Sequence, residues 1–234
     1  MNIGLFGIML IFMVIGWAVS RRLKSKFKEY TNVPTSNGMS GAEVAEIMLK
    51  ENNIFDVEIT CVPGSLTDHY NPQNKTINLS NDVYNGRNVA AAAVAAHETG
   101  HAVQHATAYS MLQLRSTLVP VVQFSSKMMN YIFMASIFFS FALHWISNDF
   151  MLTIIILGQG SLALFSLITL PVEFDASNRA LIWLQSNRHG IVDRIGYAKA
   201  KNALTWAAMT YVVSALAAVT QLLYWVMMFV GRRD

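Results

Sequence analysis

Val89-Ala-Ala-Ala-Ala-Val-Ala-Ala-His97-Glu98-Thr-Gly-His101-Ala-Val-Gln-His105 is the stretch whose reading decides what this chain is. It sets an HExxH sequence in a run of good helix formers, with Asn88 placed to cap the helix start. The pattern predicts a helix from about Val89 to Tyr109. Residues four apart on a helix sit about 40° apart in angle and about 6 Å apart along the axis. Two imidazoles at that spacing can close on one Zn2+ with bonds of about 2.0–2.1 Å. Glu98 falls beside His97 on the flank of the same face. It lies near the metal without ligating it, which suits a general base acting on water. Most isolated histidines are core or surface residues. The helical context and the small side chains before His97, which allow close packing, set this pair apart.

Outward from that stretch, the chain is apolar in blocks. Hydrophobic residues make up 53% of the 234 and charged residues only 13%, with a mean hydropathy of +0.36, which places the chain among membrane proteins. The single Cys61 excludes an intramolecular disulfide and a cysteine-rich zinc site. It is expected to fill a buried strand position. The net charge of +3 does not point to nucleic acid, because the basic residues flank the apolar runs and no nucleic-acid motif is present.

Four spans are predicted: Asn2–Ser20, Met128–Trp145, Phe150–Val172 and Asn202–Gly231. The first is followed directly by Arg21-Arg-Leu-Lys-Ser-Lys26. Positive charge after the apolar run marks a retained anchor rather than a cleaved signal peptide. Residues 144–149 are expected to form a short outer turn. Gly158 and Gly160 are expected to allow close helix contact. With the N-terminus outside, all of the 17 Lys and Arg except Arg232 and Arg233 fall on the cytoplasmic side, as the positive-inside rule requires. The expected division is a transmembrane anchor at 1–20 and a cytoplasmic catalytic segment at 21–117. Helices two and three follow at 118–172, a second cytoplasmic segment at 173–201, and the fourth helix with its tail at 202–234.

Within the polar segment, Ser40 followed by Glu43 reads as a capping box that opens a helix through about Lys50. Alternation at Val57, Ile59 and Cys61 predicts a strand ended by Pro63-Gly64. Leu66–Tyr70 and Lys75–Ser80 flank Asn71-Pro-Gln-Asn74 as a hairpin. With little sheet sequence available, the Lys75–Ser80 strand is expected to leave an open edge. An extended substrate would add there beside Ile77 and Asn78. The helix of the HExxH has only eight apolar residues between Arg87 and His97, too few to cross a bilayer.

A catalytic zinc needs three protein ligands and an open position. Pro171-Val-Glu173-Phe-Asp175-Ala-Ser-Asn178-Arg-Ala180 is the best source of the third. Glu173 lies just past the third span on the side where the HExxH is expected. A carboxylate there needs a partner, either a metal or Arg179. His105 continues the i, i+4, i+8 series but lies about 12 Å along the axis from His97. It is expected to support the site or to pack. His144 is expected on the opposite membrane face. His69, His189 or a tyrosine such as Tyr211 could serve a transition-state oxyanion. Asp175 and Asn178 could orient a zinc-bound histidine.

These residues carry a resemblance. Leu66-Thr-Asp-His-Tyr-Asn-Pro72, Ala95-Ala-His-Glu-Thr-Gly-His-Ala-Val-Gln-His105 and Leu170-Pro-Val-Glu-Phe-Asp-Ala-Ser177 resemble the YugP-type family of bacterial membrane zinc metallopeptidases. The resemblance runs over essentially the whole chain. It implies a gluzincin with His97, His101 and Glu173 on Zn2+ and Glu98 as base. The HtpX and CAAX-prenyl protease families are similar at a greater distance and place Glu-x-x-x-Asp after a span. Here that sequence is Glu173-x-x-x-Ser177, so the orienting aspartate has no match and Asp175 or Asn178 would have to replace it.

The expected architecture is a membrane α-helical protein with four transmembrane helices and a small α+β zincin-like cytoplasmic catalytic part. The expected activity is zinc-dependent hydrolysis of peptide bonds near the cytoplasmic face of the cell (inner) membrane, on membrane-associated proteins or peptides. Its partners are the bilayer and such substrates, with room for a homo-oligomer or a membrane partner. Two rivals are a site-2-type intramembrane protease and a non-catalytic zinc-containing scaffold or chaperone-like module. The first would need the HExxH inside a span, and the second would have no use for Glu98.

Overall fold

A computed structural model of the protein describes residues 3–138, 148–186 and 188–231. The chain forms two compact units. One comprises Met1–Trp17, Leu114–Leu170 and Tyr211–Asp234, and the other Ala18–Gln113 and Pro171–Thr210.

The second unit contains the polar segment. It opens on the end of α1 (Ile3–Tyr30). Helix α2 (Gly41–Glu51) starts at the expected capping box. Glu43 N–H donates to Ser40 Oγ and Ser40 N–H donates back to the Glu43 carboxylate, so two backbone donors at the helix start are satisfied. Its apolar face, Val44, Ala45, Met48 and Leu49, is buried in one core with the alanines of α4 (Val89–Ala106). Small side chains on α4 allow that close approach.

Strands β1 (Glu58–Val62), β2 (His69–Asn71) and β3 (Thr76–Ser80) form a sheet in the order β1-β3-β2. The hairpin is as expected: β2 pairs antiparallel to β3, with His69 opposite Asn78. The open edge is not. β1 pairs parallel to the other side of β3, with Ile59 opposite Ile77, so β3 is the central strand. Ile77 is fully buried, and the free edges belong to β1 and β2. Alternation along a strand reports which face is covered but not which strand lies alongside. Cys61 also departs from expectation, being exposed, because β1 is an edge strand with only part of its length against the core. The short α3 (Asn81–Tyr84) connects β3 toward α4.

In the other unit, the described parts of α1, α5 (Ser110–Phe138), α6 (Asn148–Ser186) and α7 (Arg194–Val230) supply the apolar helices. Among the described residues three helices are long and apolar enough to cross a membrane: Gly4–Tyr30, Asp149–Ser186 and Arg194–Val230. α5 is not one of them. The expected second span continues beyond α5 into 139–145, outside the described residues. The expected outer turn lies there too, except Asn148 and Asp149, which begin α6. Gly158 is a close-contact position: a Cβ there would sit 3.1 Å from Met129 Sδ. Gly160 has only ordinary clearance, 4.0 Å to Leu222. Gln159 Nε2 donates to Gln221 Oε1 at 3.1 Å, an interhelical hydrogen bond of the kind that joins apolar helices.

Candidate metal centre

Asn88 caps α4 as expected, its side chain accepting the Ala91 N–H at 2.9 Å. One turn separates His97 from His101, and their rings meet edge to face with centroids 4.8 Å apart. Between them in sequence is Gly100, whose role is steric. A Cβ on it would lie 2.5 Å from the carbonyl oxygen of Ala176 in α6. Only a glycine lets the α6 backbone come this close, and that approach delivers Glu173 to the two histidines.

Glu173 Oε2 lies 3.4 Å from His97 Nε2 and 3.6 Å from His101 Nε2. All three potential ligand atoms fall within 4.8 Å of one another. Donors bound tetrahedrally at about 2.0–2.1 Å would be roughly 3.3 Å apart, so the residues present fit a zinc ion. Glu173 and His101 are buried, and His97 is partly buried.

Both imidazoles present Nε2 to this point because their Nδ1 atoms are engaged elsewhere. His97 Nδ1 is 3.1 Å from Ser177 Oγ. His101 Nδ1 is 3.0 Å from Gln104 Oε1. The Gln104 amide is pinned from its other end, its Nε2 donating to the Val172 carbonyl at 2.7 Å and to Asp175 Oδ2 at 2.8 Å. With both amide protons given to acceptors, Gln104 presents its oxygen to His101. His101 Nδ1 therefore carries the proton and Nε2 the lone pair. Arg179 Nε holds the same Asp175 oxygen at 2.6 Å.

Replacing Gln104 with Leu should therefore weaken zinc binding by about 10- to 100-fold, the usual cost of losing such a partner. A competition titration against a chromophoric chelator reads this directly, and unchanged affinity would remove Gln104 from the site.

Asp175 thus acts on His101 through Gln104 rather than by direct contact. Asn178 is exposed and takes no part in these contacts. Ser177, which stands where an orienting aspartate was looked for, itself meets His97 Nδ1. His105 is not in the donor set. Its Nδ1 is 2.7 Å from Tyr70 Oη. His69 is exposed, with Nδ1 2.8 Å from the Thr67 carbonyl. His189 Nε2 is 2.9 Å from Glu51 Oε1. His144 lies outside the described residues, and Tyr211 belongs to the other unit. Asn78 is occupied within the sheet, accepting from Thr60 Oγ1 at 2.8 Å.

Glu98 is buried on the same helix, and its Oε2 accepts the Tyr70 N–H of β2 at 3.0 Å. Burial pushes its carboxyl up to about 7. His97 opposes the shift, the Glu173 and Asp68 carboxylates add to it, and the Tyr70 N–H opposes it. A buried carboxylate poised near neutrality beside a metal-sized donor set can accept and return a proton. Gln104 could have been suspected from sequence, being one helical turn past His101. Nothing local marked the Tyr70 N–H.

The sequence profile of a family described as "Putative neutral zinc metallopeptidase" matches residues 5–230. The chain belongs to this family. It is also 39% identical over 213 residues to "Putative membrane protease YugP" of Bacillus subtilis (strain 168), covering 91% of each chain. No solved structure matches. Membership in a zinc metallopeptidase family agrees with the donor set that His97, His101 and Glu173 form.

Proposed function

We propose that this protein is a zinc-dependent endopeptidase of the cell membrane that cuts peptide bonds near the cytoplasmic face, with Glu98 as general base. The observation that carries the reading is the three-donor cluster with a buried carboxylate on the next residue of the same helix. Zn2+ held by His97, His101 and Glu173 supplies Lewis acidity toward a carbonyl and toward water. Glu98 takes the proton from the attacking water and hands it to the leaving amine. A purely structural site has no work for such a base. An intramembrane protease would carry its HExxH on a span, and α4 is not one of the three long apolar helices.

The substrate edge moves from β3 to β2. Tyr70 gives its N–H to Glu98, so Tyr70 and Ile77 form a pair without ladder hydrogen bonds. The Tyr70 carbonyl then faces the same open side. An extended peptide added along β2 would donate an N–H to it and lie next to Glu98.

Treatment with a chelator should abolish casein cleavage by the purified chain, and one equivalent of Zn2+ should restore it. Cleavage that survives removal of the metal would refute the reading. The cytoplasmic face is tested separately through Cys61, which is exposed and therefore accessible to a thiol reagent in the folded protein. A membrane-impermeant maleimide should label it only after cells are permeabilised. Labelling in intact cells would place the site outside.

A further inference from the structure

A cavity of about 650 Å3 lies beside the end of α1, lined by Lys24, Phe27, Lys28, Ser65, Leu66 and Asp82, among others. Its size is within the range of about 300–1,000 Å3 typical of ligand pockets. None of the zinc donors lines it, so the inference does not depend on the peptidase reading. Lys24 and Lys28 are four apart on one helix and share a face. Neither ammonium has a hydrogen bond or ion pair among the described residues, whereas Lys26 of the same run is tied to Glu29 at 2.7 Å. Two lysines against Asp82 leave the lining with a single net positive charge. Asn88, the N-cap of the 18-residue α4, also lines the cavity and brings the positive end of that helix dipole to it.

Two further features are apolar. Phe27 lies between the lysines in sequence. Leu66, on the loop joining β1 to β2, is 43% exposed and has φ of 60°, a left-handed conformation that is unusual for a large side chain. Lys24 and Lys28 follow the apolar Ile3–Ser20 part of α1 by about 6 and 12 Å along the helix axis. The head-group layer extends about 5–7 Å beyond the hydrocarbon core on each side, so Lys24 lies at its depth and the long stem of Lys28, one turn further out, can reach back toward it.

We propose that this cavity binds the head group of an anionic phospholipid, with Lys24 and Lys28 on the phosphate and Phe27 and Leu66 against the glycerol and upper acyl chain. Its single positive charge matches one phosphodiester. The contact ties α1 to the loop that leads into β2, the strand whose Tyr70 N–H holds Glu98.

The test uses the full chain, purified in a neutral detergent. Dihexanoyl-phosphatidylglycerol, dihexanoyl-phosphatidylcholine and inorganic phosphate are titrated in turn, and hydrogen exchange of residues 63–68 is followed. The phosphatidylglycerol should bind and slow exchange in that loop, while the other two should not at the same concentration. Lys24→Gln/Lys28→Gln should weaken the binding roughly thirtyfold, the effect of two lysines at an anionic surface. Arg194→Gln/Lys201→Gln removes the same charge from α7 and should leave it unchanged. Equal binding of phosphatidylcholine, an equal response to inorganic phosphate, an unaffected lysine variant or an equally weakened control would each overturn the proposal. The phosphate result would assign the cavity to a free anion instead of a lipid.

Discussion

Glu98→Gln should retain close to one zinc per chain and lose peptide cleavage by about 10²- to 10⁴-fold, the range that a positioned general base contributes. The substitution conserves size, and the Gln carbonyl oxygen can still accept the Tyr70 N–H that Glu98 Oε2 holds at 3.0 Å. What disappears is basicity. Zinc content by metal analysis and initial rates on casein, measured on the same preparation, separate the two roles. A variant that loses its zinc would make Glu98 a ligand, and one that cleaves at the wild-type rate would mean that another group takes the proton.

The metal-free protein offers a second measurement on the same pair. Burial raises the folded Glu98 carboxyl to about 7 from an ordinary 4.5. For an acid, a raised value means that folding favours the neutral form, so the unfolded chain ionises first. The folded state is therefore penalised as pH rises above 4.5, and the penalty is complete above about 7. Glu98→Gln removes it. Without metal, variant and wild type should melt together near pH 4.5 and diverge up to pH 8 in favour of the variant, by about 3 kcal/mol. A gap that does not depend on pH would show that the carboxyl is not held neutral.

Local chemistry was legible in the sequence, and contacts across the chain were not. Asn88 and the alanine run announced α4, Ser40 with Glu43 announced α2, and Asn71–Asn74 announced the hairpin. Each signal lies within a few residues of what it specifies. The insertion of β3 between β1 and β2 involves residues whose alternation is the same whichever strand is their neighbour. The exposure of Cys61 follows from that order and was hidden with it. At the site, His97, Glu98 and His101 share one motif. Glu173 was found only as a carboxylate beside an apolar run, in a segment the family resemblance also picked out. Gln104 and Ser177 are ordinary residues in composition. They acquire a role because Gly100 lets α6 run against α4, which sets Ser177 on His97 and the Val172 carbonyl and Asp175 on Gln104.

Glu173→Ala is accordingly the most demanding test of the centre. The two histidines come from one helix and would keep their mutual geometry through the backbone of α4, but two imidazoles alone make a weak, open site. Loss of the third donor should lower zinc affinity by more than about 100-fold, beyond what an outer partner such as Gln104 contributes, and remove activity with it. Asp175→Ala, two residues away, serves as the graded comparison. It leaves the Val172 carbonyl to hold the Gln104 amide, so it should cost less than Gln104→Leu. Competition titrations of the three variants should rank them Glu173→Ala, then Gln104→Leu, then Asp175→Ala. Full zinc retention by Glu173→Ala would sink the third-ligand assignment. Neither His69, held by the Thr67 carbonyl, nor His189, held by Glu51, is in the donor set, so either would have to leave its present partner to replace Glu173. Glu173 and Asp175 stand on α6 and meet His101 and Gln104 of α4 only if Gly100 keeps the two backbones together, so their places in the ranking test the α4–α6 approach itself.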